Sequence, residues 1–202
     1  MIERARIIAE RPGRRILGVV GAPGSGKSTF AETLVSKLGP RVAVLVPMDG
    51  FHLAEATLAS MGRSARKGAP DTFDVAGYAA LLTRIREQTS GIVYAPRFDR
   101  ALEEPIAGSI GVPADVPLVV TEGNYLLLDS GEWPTAHATM DEVWYLDSEN
   151  DVRRERLVER HRRFGKSDRD AFAWAHGTDE RNAQLVAATA GRANLRIHAP
   201  HM

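Results

Sequence analysis

Eight residues, Gly21-Ala-Pro-Gly-Ser-Gly-Lys-Ser28, leave this chain few folds to choose from. They fit the pattern G-x-x-x-x-G-K-[ST], and they stand between two segments of opposite periodicity. Before them runs the compact apolar stretch Ile16-Leu-Gly-Val-Val20; after them, Ser28 to Leu38 repeats Phe30, Leu34, Val35 and Leu38 at helical spacing. Strand, glycine-rich turn and helix in that order are the context in which such a turn cradles phosphate. Its backbone N–H groups face an anion at a helix N-terminus, whose dipole favours negative charge. Gly21, Ala22, Pro23, Gly24, Ser25, Gly26, Lys27, Ser28 and Thr29 are therefore the expected nucleotide-binding residues. Lys27 is expected on the β- and γ-phosphates, and the Ser28 hydroxyl on Mg²⁺. The competing reading is a chance glycine turn.

The rest of the chain supplies the partners of that strand. Val42–Val46, Pro117–Val120, Glu142–Asp147 and Asn194–His198 read as further strands. Helical spacing is expected from Met1 to Arg15, from Val75 to Glu87, from Asp151 to Arg163 and from Arg169 to Thr189. Short apolar strands alternating with helices predict an α/β fold, a parallel sheet covered on both faces. Ile92-Val-Tyr94 interrupts a Pro- and Gly-rich segment that reads as loop, and 51–68 has the small, basic composition of a mobile lobe. At 202 residues the chain is expected to be one domain, 1–202.

In an open parallel sheet, ligands sit beyond the carboxyl ends of the strands. Asp49 and Glu122 each directly follow a strand, so both are expected in the crevice with Lys27. A carboxylate there can accept a proton from a substrate hydroxyl or hold Mg²⁺. Two carboxylates, one lysine and Mg²⁺ are the parts needed to move a γ-phosphoryl group to an alcohol. The plainer alternative for either carboxylate is a helix cap or turn residue. No N-K-x-D segment and no D-x-x-G after the third strand occur, which argues against a GTPase switch.

Composition narrows the partners. Lys+Arg 26 balances Asp+Glu 26, so a broad basic surface for nucleic acid or anionic membrane is not expected. The absence of cysteine removes disulfides, thiolate metal sites and cysteine nucleophiles. No apolar run approaches the roughly 18 residues of a membrane span, and the first residues lack the apolar core of a signal peptide. A soluble, cytoplasmic protein is expected. Only Lys27, Lys37, Lys67 and Lys166 are lysines, leaving 22 arginines. Six of these, Arg153, Arg154, Arg156, Arg160, Arg162 and Arg163, crowd one helix. Interleaved with Asp151, Glu155 and Glu159, they read either as a solvated face of i,i+4 pairs or as contacts to phosphate.

Five ordered segments carry a family likeness: Gly21–Ser28, Pro47-Met-Asp-Gly-Phe-His52, Lys67-Gly-Ala-Pro-Asp-Thr-Phe-Asp74, Tyr94-Ala-Pro-Arg-Phe-Asp99 and Thr121-Glu-Gly-Asn-Tyr125. From about Ile16 to Val186 the chain resembles the uridine kinase, phosphoribulokinase and bacterial pantothenate kinase family of P-loop kinases. Within that family it is most similar to small kinases described as fructose transport system kinases or fructokinases. The resemblance implies a three-layer P-loop NTPase fold, a five-stranded parallel sheet in the order 2-3-1-4-5, and a lid helix. It also implies ATP as donor and a small hydroxylated metabolite as acceptor, with fructose or a related sugar favoured.

By the same resemblance Asp49 matches the base toward the acceptor hydroxyl, and Glu122 the acidic residue at Mg²⁺ and the reacting centre. Segments 51–74 and 94–110 match those bordering the acceptor, and 151–168, with Arg160-His-Arg-Arg-Phe-Gly-Lys166, matches the lid. Arg160 and Arg163 are the expected lid cations. His52, Lys67, Tyr94 and Arg100 are the expected acceptor contacts, with loop packing as the alternative for His52 and Arg100. The acceptor loop departs from that of uridine kinases, so a nucleoside or pantothenate-type acceptor is the second reading. A nucleotide-gated regulator with weak ATPase is the third. A homodimer is compatible with all three. Trp144, Phe172 and Trp174 are expected in the core, and Asp179 and Asn182 either near the adenine or on a helix surface.

Overall fold

The computed structural model describes residues 1–198. The expected phosphate-loop unit forms first along the chain after a short N-terminal helix. That helix is α1 (Ile2–Ala9), followed by β1 (Arg15–Val20) and α2 (Lys27–Leu38). Next come β2 (Ala43–Leu45), a 3₁₀ turn at Met48–Phe51, α3 (Glu55–Ser60) and α4 (Val75–Glu87). A hairpin of β3 (Ile92–Asp99) and β4 (Glu104–Pro113) leads to β5 (Leu118–Gly123), α5 (Trp133–His137) and β6 (Glu142–Asp147). The chain then continues through α6 (Asn150–Arg163), α7 (Asp168–His176), α8 (Thr178–Ala188) and β7 (Leu195–His198).

The central sheet runs β2-β5-β1-β6-β7, and every pairing in it is parallel. Numbered without the hairpin strands, this is the expected order 2-3-1-4-5. Strands buried on both faces need apolar residues of either parity, and the sequence supplies them. Leu17, Val19, Leu118, Val120 and Trp144 point to one side, packing with Ala5, Ile8, Ala31 and Leu34 of α1 and α2. Ile16, Val20, Val119, Val143 and Tyr145 point to the other, packing with Tyr78, Leu82 and Val186 of α4 and α8. Trp144 is fully buried, as expected, and its indole N–H donates to Glu142 at 3.0 Å. No helix among the described residues is long and apolar enough to cross a membrane.

Three elements differ from the sequence expectation. Segment 94–110, read as loop, belongs largely to the antiparallel β3–β4 hairpin, whose register shifts between Ala95 and Arg97. Pro96 lies at that irregularity, where its missing N–H costs no ladder bond. The single helix expected at Arg169–Thr189 is two helices broken at Gly177 (φ −102°, ψ −88°). A Cβ at Gly177 would lie 2.7 Å from the Ala173 carbonyl oxygen, so the tight turn depends on glycine. The N-terminal helix ends at Ala9 rather than near Arg15, because Arg15 already belongs to β1.

Candidate active site

The glycine-rich turn is built as its sequence demands. Gly24 and Gly26 take positive φ of 80° and 87°, conformations that cost glycine little. Gly24 also lies directly under α6: a Cβ there would come 2.5 Å from the Arg153 carbonyl oxygen. Lys27 opens α2 and is buried. Burial pulls its ammonium pKa down, against the opposing pull of Glu122 and Asp49. Ser25 is buried with its hydroxyl unpartnered, which leaves a donor at the phosphate cradle.

Glu122 comes from the end of β5, paired in register with Val19 of β1. Ser28 Oγ donates to Glu122 Oε1 at 3.0 Å, while Glu122 Oε2 is buried without a partner. Burial pushes the Glu122 pKa up, opposed by Lys27 and reinforced by Asp49. Among the described residues no group of three His, Asp or Glu side chains forms a ready metal cage. A hydroxyl beside a carboxylate with an unpartnered oxygen nevertheless fits Mg²⁺, which keeps waters and phosphate oxygens as most of its ligands.

Asp49 lies in the 3₁₀ turn after β2, held in place by packing beneath it. Met48 seats against Gly123, where a Cβ would lie 2.5 Å from the Met48 sulfur. Thr121 Oγ1 donates to the Val46 carbonyl at 2.6 Å and meets the Tyr78 hydroxyl at 2.5 Å, tying α4, β5 and the β2 exit together. Arg100 Nη2 donates to Asp49 Oδ2 at 2.7 Å, and His52 Nε2 stands 3.9 Å from Asp49 Oδ1. Burial raises the Asp49 pKa, but His52, Arg100, Lys27 and Arg160 together bring it below the usual carboxylate value. Burial lowers His52 to about 4, so near neutral pH the imidazole is uncharged. The arginines and Lys27 then hold Asp49 ionised.

These residues stand where two cavities meet. One, about 430 Å³, follows Gly24, Gly26, Thr29 and Glu122 along the glycine-rich turn and is bordered by Arg97 and Arg156. The other, about 390 Å³, extends away past His52, Glu55, Lys67, Glu103 and Asp179. Lys27, Ser28, Asp49, Phe98, Arg100 and Arg160 line both. Lys67 ties segments 51–74 and 94–110 together: its ammonium donates to the Glu103 carbonyl at 2.7 Å and to Glu55 at 3.4 Å. Glu103 turns the hairpin at φ +55°.

Two expected site residues lie elsewhere. Arg163 is exposed at the end of α6 and lines neither cavity, because the turn of α6 that brings Arg156 and Arg160 inward carries it outward. Tyr94 is 58% exposed on the solvent face of β3, opposite Gly111, since strand alternation buries Val93 and Ala95 instead. Phe172, expected in the core, is exposed and stacked on His176; Trp174 is half-buried and lines the second cavity. Asp179 and Asn182 are buried rather than on a helix surface, and they face that same cavity. Phe98, Glu103, Asn124 and His161 also line it. Phe98 and Asn124 lay inside the two segments Tyr94–Asp99 and Thr121–Tyr125, the only sequence signal that pointed to them.

A strand–glycine turn–helix unit at the carboxyl edge of a 2-3-1-4-5 parallel sheet, with a lysine and two carboxylates at the junction of two cavities, defines a P-loop kinase. The comparisons agree. The chain is 34% identical over 169 residues to a Schizosaccharomyces pombe protein named as a putative uridine kinase, covering 80% of this chain and 72% of that one. It is 39% identical over 121 residues to an ATP-dependent kinase-like protein of Aspergillus versicolor, covering 56% and 70%. Among solved structures, a putative fructose transport system kinase from Silicibacter sp. TM1040 superposes with a TM-score of 0.86 at 36% identity, covering 96% of each chain. No family model matches. The chain belongs to the uridine kinase, phosphoribulokinase and bacterial pantothenate kinase family of P-loop kinases.

Proposed function

We propose that the protein transfers the γ-phosphoryl group of ATP to a hydroxyl of a small metabolite, with a sugar such as fructose as the favoured acceptor. The observation that carries this reading is the shared wall of the two cavities: Lys27, Asp49, Arg100 and Arg160 border both. The cavity along the glycine-rich turn takes the nucleotide, and the other takes the acceptor. Asp49, ionised and at the junction, accepts the hydroxyl proton as the acceptor oxygen bonds to the γ-phosphorus. The bond from that phosphorus to the β–γ bridging oxygen breaks, and its electron pair leaves with ADP. Lys27 and Arg160 offset the negative charge spread over the transferring group.

Ser28 and Glu122 would hold Mg²⁺, which when bound neutralises charge on the phosphate oxygens. Segment 151–168, carrying Arg160, acts as the lid, and segments 51–74 and 94–110 enclose the acceptor. Closure keeps water from competing as acceptor.

The test is ADP release from MgATP with no acceptor, and then with fructose, other sugars, uridine and pantothenate in turn. Stimulation by one of them supports the reading, and a nucleoside or pantothenate winning corrects the acceptor. Slow ADP release unchanged by every acceptor would instead mark a nucleotide-gated regulator.

A further inference from the structure

Asp49 sits on a turn that does little to hold itself. Gly50 N–H reaches the Pro47 carbonyl at 3.4 Å and His52 N–H the Asp49 carbonyl at 3.2 Å, both at or beyond the usual limit for such bonds. No side chain caps the turn, and Pro47 at its entrance has no N–H to offer β5. The β2–β5 pairing accordingly closes one residue earlier, with Val46 N–H donating to the Val120 carbonyl at 2.8 Å. Anchors outside the turn therefore decide where the Asp49 carboxylate stands, and two of them lead to one residue. Thr121 has a single hydroxyl hydrogen, which goes to the Val46 carbonyl at 2.6 Å. The 2.5 Å contact between Tyr78 and Thr121 must then run from the Tyr78 hydroxyl to Thr121 Oγ1. This chain of two bonds fixes the entrance of the turn, and Thr121 directly precedes Glu122 on β5. At the exit of the turn, the Tyr78 ring packs on Phe51 with centroids 5.2 Å apart.

We propose that Tyr78 is a positioning residue for phosphoryl transfer, setting the place of the Asp49 carboxylate through Thr121 at one end of the turn and Phe51 at the other. This role rests on the kinase reading with Asp49 as base. Tyr78 is fully buried and lines neither cavity, so it acts on the reaction only through the residues it holds. Its buried neighbours on α4, Val75, Ala79, Leu82 and Ile85, are apolar. A hydroxyl among them is costly to bury unless its hydrogen bond is made. A buried network with every member paired in turn favours one geometry over its alternatives. The reaction is sensitive to that geometry, because a base displaced by about 1 Å from far away can slow transfer about 10²-fold.

The test uses the full-length protein and measures ADP release from MgATP with fructose, uridine and pantothenate in turn, keeping the acceptor that stimulates wild type most. Tyr78→Phe removes one oxygen and is expected to lower kcat about tenfold or more, while KM for that acceptor and Kd for ATP stay within about threefold. Thr121→Val keeps the side-chain shape without the hydroxyl and is expected to do the same. Thr121→Ser keeps the hydroxyl and is expected to hold kcat within about threefold of wild type. This Val and Ser pair decides the question should Tyr78→Phe fail to fold. Tyr78→Phe combined with Thr121→Val should be about as slow as the slower single variant, since both break one chain of bonds. An unmoved kcat in folded Tyr78→Phe, a loss in Thr121→Ser equal to that in Thr121→Val, or a raised KM with kcat intact overturns the positioning role and leaves the kinase standing. Failure of every acceptor to stimulate ADP release in wild type overturns the kinase reading, and the positioning role with it.

Discussion

Asp49, the proposed base, is held ionised by its neighbours. Arg100 touches it at 2.7 Å, and Lys27 and Arg160 add positive charge from the nucleotide side. Beside it, His52 is clamped between the rings of Phe73 and Phe98, with centroids 4.1 and 4.8 Å away. Burial brings its pKa from 6.5 to about 4. The folded-state value is depressed, so the stability that neutral His52 contributes is complete above pH 6.5 and is lost as pH falls toward 4. The total is about 3 kcal/mol at about 1.4 kcal/mol per pKa unit. Urea unfolding at pH 7 and pH 4.5 should show this loss in wild type and a smaller one in His52→Asn; equal losses would contradict the assignment. At this scale, legibility followed locality. Lys27, Asp49 and Glu122 could be read from the sequence because a motif or a strand end fixes their direction. Arg163 and Tyr94 could not, because one helical turn or one strand alternation decides whether such a side chain faces the cavity or water.

The glycine-rich turn and α6 are in direct contact, so nucleotide binding should be tied to the element that carries Arg160. Gly24, at φ 80°, packs against the backbone of α6, where any Cβ would lie 2.5 Å from the Arg153 carbonyl oxygen and 2.9 Å from Leu157 Cγ. Gly131, at φ 58°, has open space around it. Both Gly24→Ala and Gly131→Ala incur backbone strain of about 1–3 kcal/mol. Only Gly24→Ala also pushes the loop and α6 apart, so its ATP affinity should fall more than tenfold while that of Gly131→Ala holds. Calorimetric titration reads both, and equal affinities would deny the coupling. Most strands were legible as elements because buried parallel strands are continuous apolar runs. The β3–β4 hairpin was not: Pro96, Pro105, Gly108 and Gly111 give it the composition of a loop, although it pairs as strands and packs against the Met48–Phe51 turn. The break at Gly177 was missed because helical spacing continues on both sides of it.

Across the whole molecule, a chain of zero formal charge gathers three cations where the two cavities meet. Lys27, Arg100 and Arg160 converge from α2, the hairpin turn and α6, and burial of Lys27 and Arg160 lowers the pKa of each. Holding such groups close together costs stability that a bound polyphosphate returns. A non-hydrolysable ATP analogue at about 100 times its Kd should therefore stabilise the protein by about 2.7 kcal/mol. For a chain of this size that is a rise of roughly 5–10 °C in Tm. Lys27→Met should abolish the rise, and a wild-type Tm unmoved by nucleotide would show that the cradle does not bind it. The parallel sheet and the position of the site were legible from where the apolar runs and the glycine turn fall, whereas the strand order was legible only through the family resemblance. The walls of the second cavity were legible in part, through His52, Lys67, Arg100 and Arg160; Asn124, His161 and Trp174 were not, since separate segments are brought together there only by folding. The central claim is phosphoryl transfer with Asp49 as base, and the most direct measurement follows labelled γ-phosphoryl from ATP in wild type and Asp49→Asn. Wild type should place the label in an organic phosphate of the acceptor, and Asp49→Asn should do so about 10²–10⁴-fold more slowly with ATP affinity retained. Label found only in inorganic phosphate, or transfer by Asp49→Asn at the wild-type rate, would contradict it.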